Sequence, residues 1–147
     1  MRRLEWDEYF MSIAELASKR STCLRRQIGA VAVRENQILA TGYNGAVSGQ
    51  PHCGAVGCLR EALKIPSGER VELCRAVHAE MNVVCQAASH GVSLQESTLY
   101  CTHQPCYSCA KVLINAGVKL IVYLHSYPDE LAAALLESRL INLKRSI

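Results

Sequence analysis

The chain has 147 residues, a size typical of one domain built around a single hydrophobic core. Half of its residues are apolar, 5% are aromatic and 20% are charged, which excludes a disordered charged tail and a low-complexity fibrous chain. The formal net charge of +3 does not require a polyanionic partner, although it suits a small phosphorylated ligand. We therefore expect a single domain over residues 1–147.

The acidic amino terminus and the lack of a long apolar run predict a cytoplasmic location without membrane association. No apolar run approaches the roughly 20 residues that span a bilayer, and the first residues turn acidic where a signal peptide would be apolar. Eight cysteines in a reducing compartment favour metal ligation or catalysis over a disulfide framework. Cys85 and Cys101 lie in apolar stretches, so we expect both to be ordinary core thiols.

The first half of the chain predicts a helix followed by a hairpin. Apolar residues recur at three- and four-residue steps over residues 6–19, which is the period of a helix face. Residues 27–34 and 37–41 are aliphatic, β-branched runs separated by two residues, which predicts two antiparallel strands. Glycine and proline then punctuate residues 42–73, where only a short helix near residues 59–64 is expected.

The second half alternates helices and strands. The predicted order is helix, strand, helix, strand and helix, over residues 79–89, 97–102, 106–116, 119–124 and 128–138. Gly91 is expected to end the first of these helices. A hairpin followed by this alternation predicts an α/β sandwich around one mixed sheet.

Two short motifs place metal-binding residue types at predicted helix starts. They are His-Ala-Glu at residues 78–80 and Pro-Cys-Tyr-Ser-Cys at residues 105–109. His78, Cys106 and Cys109 would supply one nitrogen and two thiolates to a tetrahedral zinc and leave a fourth position for water. Three protein ligands and one water form the usual arrangement of a catalytic zinc.

Glu80 lies two residues after His78, so its carboxylate could reach the water without ligating the metal. A carboxylate in that position can take up and release protons during hydrolysis. A lone Cys-x-x-Cys is as often a redox pair or half of a structural zinc site. His-x-Glu followed by Pro-Cys-x-x-Cys is a signature of zinc nucleobase deaminases, so the two motifs together predict a catalytic zinc.

Five segments carry a family resemblance, at residues 6–11, 29–31, 42–45, 78–82 and 105–111. With them the sequence resembles the deoxycytidylate (dCMP) deaminases of the cytidine deaminase-like superfamily over nearly the whole chain. The Gly-Tyr-Asn-Gly run of the third segment narrows the resemblance most. The resemblance implies a three-layer α/β/α sandwich with one mixed sheet of about five strands, and hydrolysis of dCMP to dUMP and ammonia, which supplies dUMP for thymidylate synthesis.

The same resemblance implies roles for further residues and partners. Asn44 would contact the substrate sugar, and the backbone near Ala79 and Cys106 would contact the pyrimidine edge. Glu80 would protonate the ring and then the leaving amine. A homo-oligomer, with a hexamer favoured, and regulation by dCTP and dTTP are also implied. By charge alone, the candidate donors to the substrate 5′-phosphate are Arg25, Arg26, Arg60 and Lys111.

Four cysteines remain, and the resemblance implies a second, structural zinc for them. Cys23 and Cys53 fall at two ligand positions of such a site in some relatives, whose other two ligands are histidines. In this chain Cys74 and Cys58 could complete a four-thiolate site, which would hold the long irregular segment in place. Scattered buried thiols are the alternative.

Two other functions stay open. The first is deamination of another cytosine or adenine nucleoside or of a nucleic acid, which the single Trp, single Phe and small net charge disfavour. The second is a zinc-binding module without catalytic activity, which would leave Glu80 without a role. We expect a small nucleotide as the partner and no nucleic acid.

Overall fold

A five-stranded mixed sheet forms the centre of the structure, a computed structural model that describes residues 1–143. The strands are β1 (Gly29–Arg34), β2 (Gln37–Tyr43), β3 (Gly45–Ala46), β4 (Ala76–Val77), β5 (Thr98–His103), β6 (Leu120–His125) and β7 (Leu140–Asn142). The helices are α1 (Trp6–Ser18), α2 (Cys53–Val56), α3 (Leu59–Ala62), α4 (Ala79–His90), α5 (Tyr107–Asn115) and α6 (Glu130–Leu135), and a 3-10 turn covers Val71–Leu73.

The order of strands in the sheet is β2-β1-β5-β6-β7, while β3 and β4 form a separate two-stranded ribbon. Strand β1 is antiparallel to both β2 and β5, whereas β5, β6 and β7 run parallel to one another. The prediction of one mixed sheet is therefore confirmed.

Successive residues of β1 face opposite layers of helices, as the period of a strand requires. Ala30 and Ala32 pack into a core with residues of α4, α5 and α6. Val31 and Val33 pack on the other face into a core with Phe10 and other residues of α1. The predicted three-layer α/β/α arrangement is confirmed by these two cores.

The backbone conformation agrees with the sequence prediction at the β1–β2 turn and at the end of α4. Glu35 and Asn36 both adopt positive φ, at 52° and 59°, which is the backbone of the tightest hairpin turn between β1 and β2. Gly91 ends α4 in the left-handed conformation with φ 69°. Both predictions are confirmed.

Three short elements were not predicted from sequence. They are helix α2, the β3–β4 ribbon and strand β7, none longer than four residues, and the 3-10 turn at Val71–Leu73 was not predicted either. The predicted last helix ends at Leu135 rather than near residue 138, and the chain then adds β7 beside β6. Elements this short contain too few residues to show a period.

One expectation about burial was wrong. Cys85 is exposed on α4, because that helix buries Ala79, Glu80, Val83 and Ala87 and turns Cys85 away from the sheet. On α1 the buried face is centred on Phe10, Met11 and Ala14, which leaves Trp6 and Tyr9 nearly half exposed. Within residues 1–143 no helix combines the length and apolarity needed to cross a bilayer.

Candidate active site

The amino-terminal ends of α4 and α5 bring the two predicted motifs together. His78 is the residue before α4, Cys106 is the residue before α5, and Cys109 lies in the first turn of α5. Their ligand atoms all lie within 4.8 Å of one another. Among residues 1–143, no other three His, Cys, Asp or Glu side chains are gathered this closely.

The three side chains present one nitrogen and two sulfurs to a common point. Nδ1 of His78 lies 3.6 Å from Sγ of Cys106 and 3.4 Å from Sγ of Cys109. The hydrogen bond from the Cys109 thiol, supported by His78, lowers the pKa of Cys106 to about 4, while the same bond raises the pKa of Cys109. The hydrogen bond to Cys106 raises the pKa of His78, an effect that burial opposes. This donor set fits a tetrahedral zinc with one open position.

Glu80 lines the same pocket as His78 and Cys106 but does not belong to the ligand cluster. Glu80 is 4% exposed, and its Oε1 accepts a hydrogen bond from Sγ of Cys101 at 3.0 Å. Burial raises the pKa of the Cys101 thiol, which keeps the proton on sulfur and makes Cys101 the donor. The arrangement leaves Glu80 beside the proposed metal position rather than on it.

Cys101 is therefore buried, as expected, but it is more than a core thiol. Cys101 and Leu99 lie on the face of β5 that packs against α4, and on this face the thiol of Cys101 contacts Glu80. Strand alternation predicts that Cys101 faces one helix layer, but only the position of α4 shows which residue it meets.

The Gly-Tyr-Asn-Gly segment packs against the start of α4. A Cβ atom on Gly42 would lie 2.3 Å from the carbonyl oxygen of Ala79 and 2.8 Å from the backbone nitrogen of Val83, so only glycine permits this approach. Nδ2 of Asn82 donates to the carbonyl of Tyr43 at 2.7 Å. Two of the five segments that carry the family resemblance, residues 42–45 and 78–82, are thus in direct contact.

Asn44 lines the pocket, and its side chain bonds to the backbone of the loop before β1. Oδ1 accepts from the backbone N–H of Ile28 and Nδ2 donates to the carbonyl of Arg26, both at 2.9 Å. These bonds shape the loop, while contact of Asn44 with a substrate sugar stays a prediction. Ala79 is fully buried at the start of α4, and its predicted part in contacting the pyrimidine also stays a prediction.

Asp129 fixes the start of α5, a role that sequence reasoning missed. Its Oδ1 accepts from the N–H of Ala132 and caps α6, while its Oδ2 accepts from the N–H of Tyr107 at the first position of α5, both at 2.9 Å. One carboxylate thereby satisfies free N–H groups at two helix ends. The sequence shows the cap of α6 but not the second bond, which joins residues 22 positions apart.

The remaining four cysteines surround the same pocket. Cys23, Cys53, Cys58 and Cys74 all line it, and none of the eight cysteines forms a disulfide. Burial and then the nearby thiols of Cys58, Cys74 and Cys23 raise the pKa of Cys53. The four are neighbours, but within residues 1–143 no three of them have sulfur atoms gathered within 4.8 Å.

Three of the four candidate phosphate donors line the pocket and one does not. Arg25, Arg26 and Arg60 line the pocket, together with Arg75, which was not considered from the sequence. Arg26 also lies over the Tyr127 ring, 5.3 Å from its centre. Lys111 instead lies over the Tyr107 ring, 4.8 Å from its centre, and is outside the pocket lining.

Comparison with known proteins places this geometry in a family. The model of the cytidine and deoxycytidylate deaminase zinc-binding region matches residues 4–125, and the chain belongs to this family of zinc-binding deaminases. The resemblance noted in the sequence is thereby confirmed.

Individual relatives match most of the chain. A deoxycytidylate deaminase of Schizosaccharomyces pombe is 38% identical over 99% of the chain, which spans about half (45%) of that relative's length. A deoxycytidylate deaminase of Mycobacterium phage D29 is also 38% identical, over 84% of the chain and 97% of the phage protein. The crystal structure of dCMP deaminase from cyanophage S-TIM5 in complex with dCMP and dUMP has a TM-score of 0.80 and 32% identity, over 97% of this chain and 99% of that one.

Proposed function

We propose that residues 1–147 act as one zinc-dependent deaminase domain that hydrolyses dCMP to dUMP and ammonia and so supplies dUMP for thymidylate synthesis. The observation that carries the proposal is the cluster of His78, Cys106 and Cys109 with Glu80 on the wall of the same pocket. Three ligands with one buried carboxylate beside them match the requirements of metal-assisted hydrolysis.

The choice of dCMP is supported by relatives of the same size. The Mycobacterium phage D29 and cyanophage S-TIM5 proteins are dCMP deaminases that the chain covers almost from end to end. A pocket lined by four arginines also suits a substrate with a phosphate group. Neither observation requires a nucleic-acid substrate.

In the proposed reaction, a water oxygen forms a bond to C4 of the cytosine ring and the C4–amine bond breaks. When bound, zinc acts as a Lewis acid that lowers the pKa of a water molecule toward about 7. The Glu80 carboxylate accepts a proton from the attacking water and delivers it to N3 of the ring. It then passes the second proton to the leaving amine, so that dCMP and water yield dUMP and ammonia.

Cys101 is expected to position Glu80 for this step, because its thiol donates a hydrogen bond to Oε1 of Glu80. Cys101→Val keeps the size and apolar character of the side chain but removes the donor. We expect kcat for dCMP to fall about 10-fold with KM nearly unchanged, since a misplaced proton donor slows the chemical step. Cys101→Ser restores a donor and should recover much of the loss. A Cys101→Val enzyme with unchanged kcat would show that the contact does not position Glu80.

A substrate panel tests the proposed function. The zinc-loaded protein is incubated with dCMP, dCTP, deoxycytidine, cytidine and a single-stranded oligonucleotide, and ammonia release is measured. We expect the highest kcat/KM for dCMP. Highest efficiency on a nucleoside or on the oligonucleotide would favour the alternative deaminases, and no release from any substrate would favour a zinc-binding module without catalytic activity.

We also propose that Cys23, Cys53, Cys58 and Cys74 bind a second, structural zinc. Their position near one another in the lining of one pocket supports this, and the side chains would have to move closer together to reach a tetrathiolate geometry. Such an ion would tie the loop after α1 to α2, α3 and the segment before β4.

The second zinc predicts a change in metal content and stability. Cys53→Ser should lower zinc from two ions per chain toward one and reduce the free energy of unfolding by about 3 kcal/mol, because a structural ion binds the folded state alone. It should also raise KM for dCMP, since the loop that carries Asn44 loosens. Cys85→Ser is the matched control, because Cys85 is exposed on α4. One zinc per wild-type chain, purified without chelator, would contradict the proposal.

The family resemblance supports three further proposals about the working enzyme. We expect a homo-oligomer, with a hexamer favoured, which light scattering would measure. We expect dCTP to raise and dTTP to lower activity at subsaturating dCMP. A cytoplasmic location fits thiolate ligands, which need a reducing compartment.

A further inference from the structure

The segment that follows β6 is bonded to the chain on both sides of the ligand Cys106. Strands β5 and β6 are parallel neighbours, so both chain segments leave the same edge of the sheet. The N–H of Gln104, two residues before Cys106, donates to the carbonyl of His125 at 2.9 Å. The N–H of Tyr107, one residue after Cys106, donates to Oδ2 of Asp129 at 2.9 Å. The backbone of Cys106 therefore lies between two hydrogen bonds to the segment after β6.

The second of these bonds is made by a side chain, the carboxylate of Asp129. Helix α5 begins at Tyr107, and the first N–H groups of a helix have no partner inside it. The bond therefore holds the first turn of α5, which carries Cys106 and Cys109 at its start. A substitution of Asp129 can remove it without touching either ligand.

Asp129 is itself held in place by α6. Its Oδ1 accepts from the N–H of Ala132 at 2.9 Å, and its own N–H donates to the carbonyl of Tyr127 at 2.8 Å. Ala132 is fully buried in the core that the sheet forms with α4, α5 and α6. Because one oxygen of the carboxylate is fixed on α6, the other meets α5 in a defined direction.

The residue type at position 129 fits the bond to α5 better than the cap of α6 alone. Serine, threonine and asparagine cap helices about as well as aspartate, and each does so with one oxygen atom. Aspartate offers two oxygen atoms and no donor. Both oxygens of Asp129 are used, one on each helix.

We propose that Asp129 is a positioning residue of the metal site. Through the N–H of Tyr107 it fixes Cys106, and so sets how tightly the cluster of three ligands holds its zinc. The inference rests on the catalytic zinc of the proposed function and goes beyond it, because it assigns zinc retention to a residue that binds neither metal nor substrate. Removing a group that orients metal ligands costs about 10- to 100-fold in metal affinity.

Asp129→Ser and Asp129→Ala separate the bond to α5 from the cap of α6. Serine keeps one oxygen for the N–H of Ala132 but has none left for that of Tyr107, whereas alanine loses both bonds. We expect the zinc dissociation constant, measured by competition with a chelator, to rise at least about 10-fold in both variants. The melting temperature should fall in Asp129→Ala and recover in large part in Asp129→Ser. The zinc that Cys106→Ala loses identifies the catalytic ion in these titrations.

Glu8→Ala is the matched control, because it removes a carboxylate that caps a helix away from the pocket. Oε2 of Glu8 accepts from the N–H of Glu5, the residue before α1, at 3.0 Å, and neither residue lines the pocket. We expect a lower melting temperature and unchanged zinc affinity. Cobalt in place of zinc gives a second readout, since its visible absorption reports ligand geometry. The cobalt spectrum should change in Asp129→Ser and stay as in the wild type in Glu8→Ala.

Amide exchange in the zinc-loaded wild type tests the contact without any substitution. By NMR, the N–H of Tyr107 should exchange slowly with solvent, although the first N–H groups of a helix ordinarily lack a partner. Fast exchange of Tyr107 would overturn the inference, and so would wild-type zinc affinity in Asp129→Ser. Weaker zinc binding in Asp129→Ala alone would assign the effect to the cap of α6 and would overturn it as well.

The outcomes separate this inference from the proposed function. A protein that deaminates dCMP, with a zinc affinity that does not depend on Asp129, would contradict the inference alone. A protein in which Asp129→Ser weakens zinc binding, but which releases no ammonia from dCMP, would contradict the proposed function and support the inference.

Discussion

Replacing Glu80 with glutamine is expected to abolish nearly all deamination while zinc and fold are retained. The amide has the size of the carboxylate and can still accept the hydrogen bond from Cys101, so the buried position stays filled. It cannot take up and return a proton, and general acid–base catalysis of this kind contributes up to about four orders of magnitude. We therefore expect kcat for dCMP to fall about three to four orders of magnitude.

Three measurements on Glu80→Gln check this expectation. Zinc per chain and the melting temperature should stay close to the wild-type values, and dUMP affinity should be retained, whereas ammonia release should fall to the limit of detection. Near-normal turnover would show that another group moves the protons and would contradict the proposed mechanism.

Removing one ligand of the catalytic cluster is the second large effect we expect. Cys106→Ala leaves His78 and Cys109, whose two donors cannot hold a tetrahedral ion with comparable affinity. Metal analysis should show the loss of about one zinc per chain, and activity should be lost with it. His78→Ala should behave in the same way.

Cys85→Ala is the matched control for this loss, because it removes an exposed thiol of the same chain. It should leave both metal content and turnover unchanged. Full zinc content in the Cys106→Ala protein would mean that the ligand set is different from the one proposed.

The sequence predicted most of the fold because long elements carry a local signal. The period of residues 6–19, the two strands of the hairpin and Gly91 are features of neighbouring residues, and the structure agrees with them. Strand β7 has three residues and pairs with β6 through tertiary contact, so no local pattern could identify it.

At the candidate site, too, the sequence predicted the local features but not those that depend on tertiary contacts. His78, Glu80, Cys106 and Cys109 could be selected because their types and spacing are distinctive, and their location at helix starts followed from the predicted elements. Whether these two helix starts converge depends on how α4 and α5 pack on the sheet.

Other contacts at the site could not be predicted because they join distant parts of the chain. Cys101 meets Glu80 across 21 positions, and Asp129 meets Tyr107 across 22. Nη1 of Arg25 and Nε of Arg60 are buried without a hydrogen-bond partner among the described residues, and only the three-dimensional structure shows this. Cys85 was predicted to be buried because it follows two valines in α4, although the side of the helix that packs on the sheet is the one with Val83 and Ala87.

Hydrolysis of dCMP in water labelled with the heavy oxygen isotope tests the proposed function most directly. The zinc-loaded protein is incubated with dCMP, and the product is analysed by mass spectrometry while ammonia is measured. We expect dUMP that carries one labelled oxygen at C4 and an equal amount of ammonia, with neither formed by Glu80→Gln. Unchanged dCMP, or dUMP without the label, would contradict hydrolytic deamination by this chain.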